Sequence, residues 1–222
     1  MAERCFVGID TSNYTTSIAV ADENGQIIAN LKAPLPVKSG ERGLRQSDAV
    51  FAHVKNLPSL TDELSALLLD YEPVAVGVSV TPRRAEGSYM PCFLVGESTA
   101  RAIALTNNIP FYAFSHQQGH IAAAVLSAKK TRLLNREFFC FHVSGGTTDL
   151  VLCSPDTDEI FKTKLFSHSL DLKAGQAIDR VGLMLGLKFP CGKALEELAM
   201  RSSCSFKVKP VLKNGNCCLS GL

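Results

Sequence analysis

His116 and His120 are the residues best placed to do chemistry, with Gln117-Gln118-Gly119 between them. On a helix this spacing stands one imidazole a turn above the other, so both can face one point. That geometry suits a borderline ion such as zinc or ferrous iron. It equally suits two capping or surface histidines at a helix N-terminus, and spacing alone does not separate the two. Ser115 precedes the pair as an N-cap and the apolar run 121–126 follows, which predicts a helix. A metalloprotease of the H-E-x-x-H type needs a glutamate beside the first histidine as general base. Gln117 and Gln118 stand there, and an amide cannot take up a proton, so peptidase chemistry is not supported.

Further along lies Val143-Ser144-Gly145-Gly146-Thr147-Thr148-Asp149. Adjacent glycines leave no side chain in the way, so backbone N–H groups can approach an anion or acyl-adenylate closely. The alternative is a tight hairpin whose glycines are there for positive φ. Asp179, in Ala174-Gly175-Gln176-Ala177-Ile178-Asp179-Arg180, is an acidic residue inside an otherwise apolar helix. It can accept hydrogen bonds from a ribose or small polar substrate, or pair at the surface with Arg180 or Lys173. Pro190-Cys191-Gly192-Lys193 offers another close-approach glycine and a lysine for a phosphate. Near the N-terminus, the hydroxyl-rich stretch from Asp10 to Thr16 either presents donors to a phosphate or forms a hydrogen-bonded turn.

The elements that must position these groups are legible from hydrophobic pattern. Strands are expected at 5–9, 17–21 and 26–31 with a hairpin turn at Asn24-Gly25, then an irregular connection over 32–45. Ser47-Asp48 caps a helix that Pro58 kinks or restarts, and its face continues to Leu68. A β-branched run at 74–80 reads as a strand buried on both faces. A loop follows over 81–91, then a helix at 94–105, a strand at 109–114 and the histidine helix. After a break at 135–137 the pattern resets. Strands are expected at 138–143, 150–153 and 160–166, helices at 173–187 and 193–200, and a strand-like end at 216–222. Two strand–loop–strand units, each followed by a helix, predict a duplicated α/β fold with lobes at 1–135 and 136–222 and a cleft between them.

The chain has 222 residues, 46% of them hydrophobic, with a net charge of +2, enough for one large domain or two modest lobes. No apolar run approaches the about 20 residues that span a bilayer and no signal peptide opens the chain, so a cytoplasmic protein without membrane contact is expected. Near-neutral charge excludes neither small substrates nor nucleic acid, and an RNA contact would use a local patch. Arg83, Arg84, Lys129, Lys130 and Arg132 are the candidate cations. Eight cysteines show no C-x-x-C spacing and are expected as reduced thiols, several of them packed as small hydrophobes.

In order along the chain stand Gly8-Ile9-Asp10-Thr11-Ser12, the histidine pair, Val143-Ser144-Gly145-Gly146, Gly175 to Arg180, Pro190 to Lys193 and Ser220-Gly221-Leu222. That succession resembles the threonylcarbamoyl-transferase family of tRNA modification, the TsaD family, formerly called glycoproteases or O-sialoglycoprotein endopeptidases. The resemblance implies an actin/Hsp70-like (ASKHA) fold with two RNase-H-like lobes. It implies transfer of a threonylcarbamoyl group from threonylcarbamoyl-AMP to an adenosine of tRNA, with accessory proteins of the same pathway. It places a divalent metal ion, iron or zinc, on His116 and His120. Substrate contacts fall on His142, Val143, Ser144, Gly145 and Gly146, on Asp179 and on Gly192. ATP is a further candidate ligand and a homodimer a candidate assembly.

Several positions depart from the family pattern. Asn13-Tyr14-Thr15-Thr16 replaces a cysteine and acidic residues, an acidic pair is reduced to Asp171 with Leu172, and His142 replaces an aliphatic residue. Thr147 stands where a histidine or asparagine is common, and Gln176 where the family has glutamate. Fewer carboxylates admit a second reading, a non-catalytic or differently specific paralogue that binds a nucleotide or a protein. A sugar or acetate kinase would have only Asp10 and Asp149 for its acids. Family members continue beyond Ser-Gly-Leu with a further aspartate metal ligand. The expectation is therefore a fragment inactive alone, its second lobe incomplete, its histidines in position but metal-free.

Overall fold

The computed structural model describes residues 2–12, 14–36, 44–205, 207, 209 and 211–220. Asn13, residues 37–43 of the expected irregular connection, and Gly221 and Leu222 lie outside the described residues. The chain divides into two compact units, Met1–Lys129 and Lys130–Leu222. No helix among the described residues is long and apolar enough to cross a membrane.

In the first unit, β1 (Glu3–Ser12), β2 (Thr15–Asp22) and β3 (Ile27–Pro34) form an antiparallel meander. Gly25 makes the β2–β3 turn at φ +76°. Helix α1 (Gln46–Leu67) leads to β4 (Tyr71–Thr81), and α2 (Phe93–Asn107) to β5 (Phe111–Ser115). Because helical crossovers join them, β4 and β5 run parallel to β1, and the sheet order is β3-β2-β1-β4-β5. This is the five-stranded arrangement of an RNase-H-like lobe. Alternation in β1 sends Cys5, Val7, Ile9 and Thr11 inward, where they meet Ile18, Val20, Val76 and Val78 from the sheet and Leu60, Leu64 and Ala100 from the helices. Between β1 and β5, β4 is buried on both faces, with Ala75, Val76, Val78 and Ser79 all under 9% exposed. α2 lies close on β1 because Gly96 has no side chain: a Cβ there would stand 2.7 Å from the Thr11 hydroxyl.

One local expectation is corrected and one narrowed. α1 is one element through Pro58, so of the kink and the restart the restart is excluded, and the proline costs the helix the hydrogen bond to Val54 without ending it. Its N-cap is Arg45 and not Ser47-Asp48, and no side chain caps it. Of the two readings of the hydroxyl-rich stretch after Asp10, the hydrogen-bonded one describes Thr11 and Thr16. β1 runs on to Ser12 and β2 begins at Thr15, with Thr11 and Thr16 fully buried. The Thr11 hydroxyl donates to the Cys92 carbonyl at 2.9 Å and accepts from the Gly96 N–H at 3.0 Å. Thr16 is bonded to His53 Nδ1 at 2.8 Å and accepts from Asn56 Nδ2 at 3.1 Å, tying α1 to β2.

The second unit opens with a short 3₁₀ turn at Thr131–Asn135. β6 (Phe138–Val143), β7 (Thr148–Asp156) and β8 (Ile160–His168) repeat the three-stranded antiparallel meander of the first unit. After them come α4 (Ala174–Met184), α5 (Gly192–Met200) and a small hairpin of β9 (Val211–Lys213) and β10 (Asn216–Cys218). The fold is α/β of the ASKHA class, with five strands in the first main sheet and three in the second among the described residues. Asp179 on α4 accepts the Cys191 N–H at 2.9 Å, and Gly182 lies against Cys191 so tightly that a Cβ would come within 2.3 Å of the cysteine's own. These two contacts fix α5 beside α4.

Asp171 has a structural task that its sequence neighbourhood did not show. Its carboxylate accepts from Leu172 N–H (2.6 Å), Leu219 N–H (2.8 Å), Ser220 N–H (3.3 Å) and the Ser220 hydroxyl (2.5 Å). The hydrogen bond from Ser220, followed by that from the Leu219 backbone, holds the carboxyl well below the usual carboxylate range. Because the folded-state pKa is depressed, the clamp is fully formed above pH about 4 and released only in stronger acid. Asp171→Ala is expected to free the segment after β10, raising amide exchange across residues 216–220 by roughly tenfold while β6–β8 keep their protection. Hydrogen-exchange mass spectrometry makes the comparison directly.

Candidate functional site

Parallel strands bring their C-terminal ends to one edge of a sheet. In the first unit the ends of β1, β4 and β5 carry Asp10, Ser79 and Ser115, and α3 (His116–Ser127) starts directly from β5. Ser115 is the N-cap, with a full capping box: its hydroxyl accepts Gln118 N–H at 3.2 Å, and Gln118 Oε1 accepts Ser115 N–H at 2.8 Å. Gln117 donates its backbone N–H to the Pro82 carbonyl at 3.1 Å, and both glutamines are buried. They are scaffold, and they set the first turn of α3 at one fixed rotation.

That rotation points both histidines the same way. His116 Nε2 and His120 Nε2 are 2.8 Å apart, with ring centroids at 4.3 Å, while His116 Nδ1 is 2.8 Å from Asp10 Oδ2. Burial pushes the Asp10 carboxyl up, but the hydrogen bond and charge of His116, with hydrogen bonds from Ser79 and Ser12, bring it down to about 2. Burial pushes the His120 imidazole down, and the neighbouring His116 adds to this. The donor set fits a borderline divalent ion: two imidazoles present converging Nε2 atoms, and a carboxylate holds the far side of one ring. Among the described residues no group of three His, Cys, Asp or Glu side chains is placed to hold a metal. The pair therefore supplies two of the positions such an ion needs.

In the second unit the residues 142–147 form the tip of the β6–β7 hairpin. Ser144 N–H donates to the Thr147 carbonyl at 2.8 Å, and Gly146 N–H to the Ser144 hydroxyl at 3.2 Å. Neither Gly145 nor Gly146 has positive φ, and a Cβ added to either would meet nothing within 4 Å. The hairpin thus does not need these glycines for conformation or for packing. Gly175 is the opposite case: a Cβ there would lie 2.7 Å from Gly145 N and 2.8 Å from Gly145 Cα and the Ser144 carbonyl carbon. Its N–H donates to the Ser144 carbonyl at 3.2 Å, and Ala174 N–H donates to the Thr148 hydroxyl at 2.8 Å, so the start of α4 is seated on the loop. Gln176 accepts Lys173 N–H at 3.3 Å, an acceptor role that a glutamate would also fill.

The remaining predicted residues are placed as follows. His142 and Asp149 face each other across β6 and β7, Asp149 being buried. Val143 is exposed on the strand's other side. Asp179 spends one oxygen on Cys191, accepting its backbone N–H. Gly192 opens α5, and a Cβ there would meet nothing within 4 Å. Arg83 and Arg84 lie on the loop beside α3, where Arg84 Nη2 donates to the Ala113 carbonyl at 2.7 Å and Arg83 N–H to the Ser88 hydroxyl at 3.0 Å. The Thr81 hydroxyl closes this loop by donating to the Ser88 carbonyl. Sequence reasoning missed Asp10 as the partner of His116, and Ser79 as a partner of Asp10. The available signal was strand order, since three parallel strands ending in polar residues deliver them to one edge.

Comparison with known proteins gives a consistent result. Residues 39–222 match the family TsaD, described as tRNA N6-adenosine threonylcarbamoyltransferase. A tRNA N6-adenosine threonylcarbamoyltransferase of Ligilactobacillus salivarius is 30% identical over 208 residues, 92% of this chain and 57% of the relative. One of Prochlorococcus marinus is 33% identical over 199 residues, 87% of this chain and 52% of the relative. The chain thus spans about half the length of these curated relatives. Among solved structures, a ROK family protein from Streptococcus pneumoniae aligns with a TM-score of 0.48 at 13% identity, covering 88% of this chain and 67% of that one. YeaZ from Pseudomonas aeruginosa aligns with a TM-score of 0.38 at 14% identity, covering 72% and 65%. The family match extends over most of the sequence, and the chain belongs to the TsaD family.

Proposed function

We propose that this chain takes part in moving a threonylcarbamoyl group from threonylcarbamoyl-AMP to an adenosine of tRNA. The observation that carries the proposal is the pair Gly145-Gly146, which neither backbone conformation nor packing requires. Glycine retained where the fold is indifferent is accounted for by close approach of a ligand to the loop's backbone N–H groups. In this reading the loop from His142 to Gly146 cradles the adenylate. Asp179, with its second oxygen, and Gly192 bound the same ligand, and their task is to orient it. His116 and His120 would hold an iron or zinc ion, which when bound supplies Lewis acidity toward the carbamoyl donor. Asp10 holds the His116 ring, and the buried glutamines fix the helix turn that presents both. ATP, accessory proteins of the pathway and a second copy of the chain are its candidate partners in the cytoplasm.

The test is calorimetric titration of a non-hydrolysable threonylcarbamoyl-adenylate analogue into the longest form of the protein. Gly145→Ala is expected to unfold at the same temperature as the wild type yet bind the analogue at least roughly tenfold more weakly, about 1.4 kcal/mol. Equal binding by the variant, or none by the wild type, removes the proposal. For tRNA, Arg83→Ala/Arg84→Ala is expected to reduce the salt slope of binding by about 1–2, without changing adenylate affinity.

A further inference from the structure

The imidazole pair is not symmetric. His116 has both ring nitrogens engaged, Nδ1 with Asp10 Oδ2 and Nε2 with His120 Nε2, each at 2.8 Å. Asp10 is itself held: its Oδ1 accepts Ser12 N–H at 2.9 Å, and the buried Ser79 hydroxyl bonds to the same carboxylate. The carboxylate therefore cannot swing away from the ring without breaking a strand-end contact on either side.

We infer that Asp10 is the positioning residue of this pair, accepting from His116 Nδ1–H and so holding the ring with its Nε2 directed at His120. A carboxylate can only accept, so the proton between Asp10 and His116 sits on Nδ1. Nε2 of the same ring faces His120 Nε2 at 2.8 Å, and an ion entering the site must displace that contact. Asp10 makes His116 ready for the ion by fixing the rotation of its ring.

This rests on the reading of His116 and His120 as ligands only in its metal arm, and the two are tested separately. Ring nitrogens of ¹⁵N-histidine-labelled protein, kept in chelator, report the tautomers through two-bond ¹H–¹⁵N correlations. Wild-type His116 is expected to carry a proton on Nδ1. Asp10→Leu removes the acceptor and should abolish the His116 preference, while Asp10→Asn, whose amide oxygen still accepts, should keep most of it. Zinc is then added and followed on the same two rings, so that the free thiols do not confuse the signal. Asp10→Leu is expected to weaken zinc at these rings ten- to hundredfold, with Asp10→Asn in between. Wild-type His116 found as Nε2–H overturns the inference without any variant, as does an unchanged tautomer in a folded Asp10→Leu protein. A proton on His116 Nδ1 in a wild type that takes up no zinc would leave Asp10's role standing and remove the metal reading instead.

Discussion

Gly175→Ala is expected to destabilise the second unit by about 1–3 kcal/mol and to displace the glycine loop, because the added methyl group has only main chain to push against. Its nearest neighbours would be Gly145 N at 2.7 Å, with Gly145 Cα and the Ser144 carbonyl carbon at 2.8 Å. No rotamer change relieves a contact with backbone, so either α4 retreats or the loop does. Retreat breaks the hydrogen bonds from Gly175 to Ser144 and from Ala174 to Thr148. Gly145→Ala, one residue position away in space, should shift stability by no more than about 0.5 kcal/mol. Urea unfolding followed on the second unit separates the two. Equal stability loss in both variants would show that the loop is packed more tightly than its surroundings indicate, and would take with it the argument for ligand access.

The second large effect is expected at His53, a fully buried imidazole on α1. His53→Ala should cost about 2–4 kcal/mol, the sum of a cavity and of Thr16 left without its imidazole partner. Burial lowers the His53 pKa, partly offset by the Ser12 backbone and the Asp10 charge, so the ring is neutral in the fold. In the unfolded chain it titrates near 6.5. Above that pH neither state takes up a proton and the full stability is present. Below it the unfolded chain binds a proton that the folded one refuses, and stability falls by up to about 1.4 kcal/mol per pH unit until the folded pKa is reached. His120, also lowered, contributes with the same sign. Denaturation midpoints at pH 7.5, 6 and 5 should therefore decline in the wild type and decline less in His53→Ala. A slope unchanged by the substitution would mean that His53 is already charged in the fold.

Much of this architecture was legible because it follows from local pattern. The alternation in β1, the β-branched core of β4, the Ser115 cap and the turn at Gly25 each depend on residues near in sequence. The helix continues through Pro58 because one missing hydrogen bond is a small loss where Leu60 and Leu64 are buried against the sheet. The stretch holding Thr11 and Thr16 left two readings open because a hydroxyl looks the same whether it faces a ligand or satisfies a buried carbonyl or imidazole. The contacts that define the site were least visible. Asp10 and His116 are distant in sequence and meet only through the parallel pairing of β1, β4 and β5. Asp171 finds Leu219 and Ser220 in the same way, through a hairpin that spacing does not reveal. Gly145 and Gly175 look alike in the sequence, and only packing shows that one is open and the other is compulsory.

The outward side of β6 bears on how the molecule behaves at high concentration. Phe139 is 53%, Phe141 74% and Val143 50% exposed, and among the described residues β6 pairs with β7 alone. The segment Phe138–Val143 holds no proline, glycine, lysine or acidic residue. High β-propensity and low charge are the properties of a segment that nucleates cross-β stacking. β8, at the other edge, carries Lys162 and Lys164, whose charges oppose such pairing. The two borders of one small sheet thus differ in kind. One repels further strands, and the other is a template for intermolecular ones, which makes colloidal stability a property of a six-residue stretch rather than of the domain.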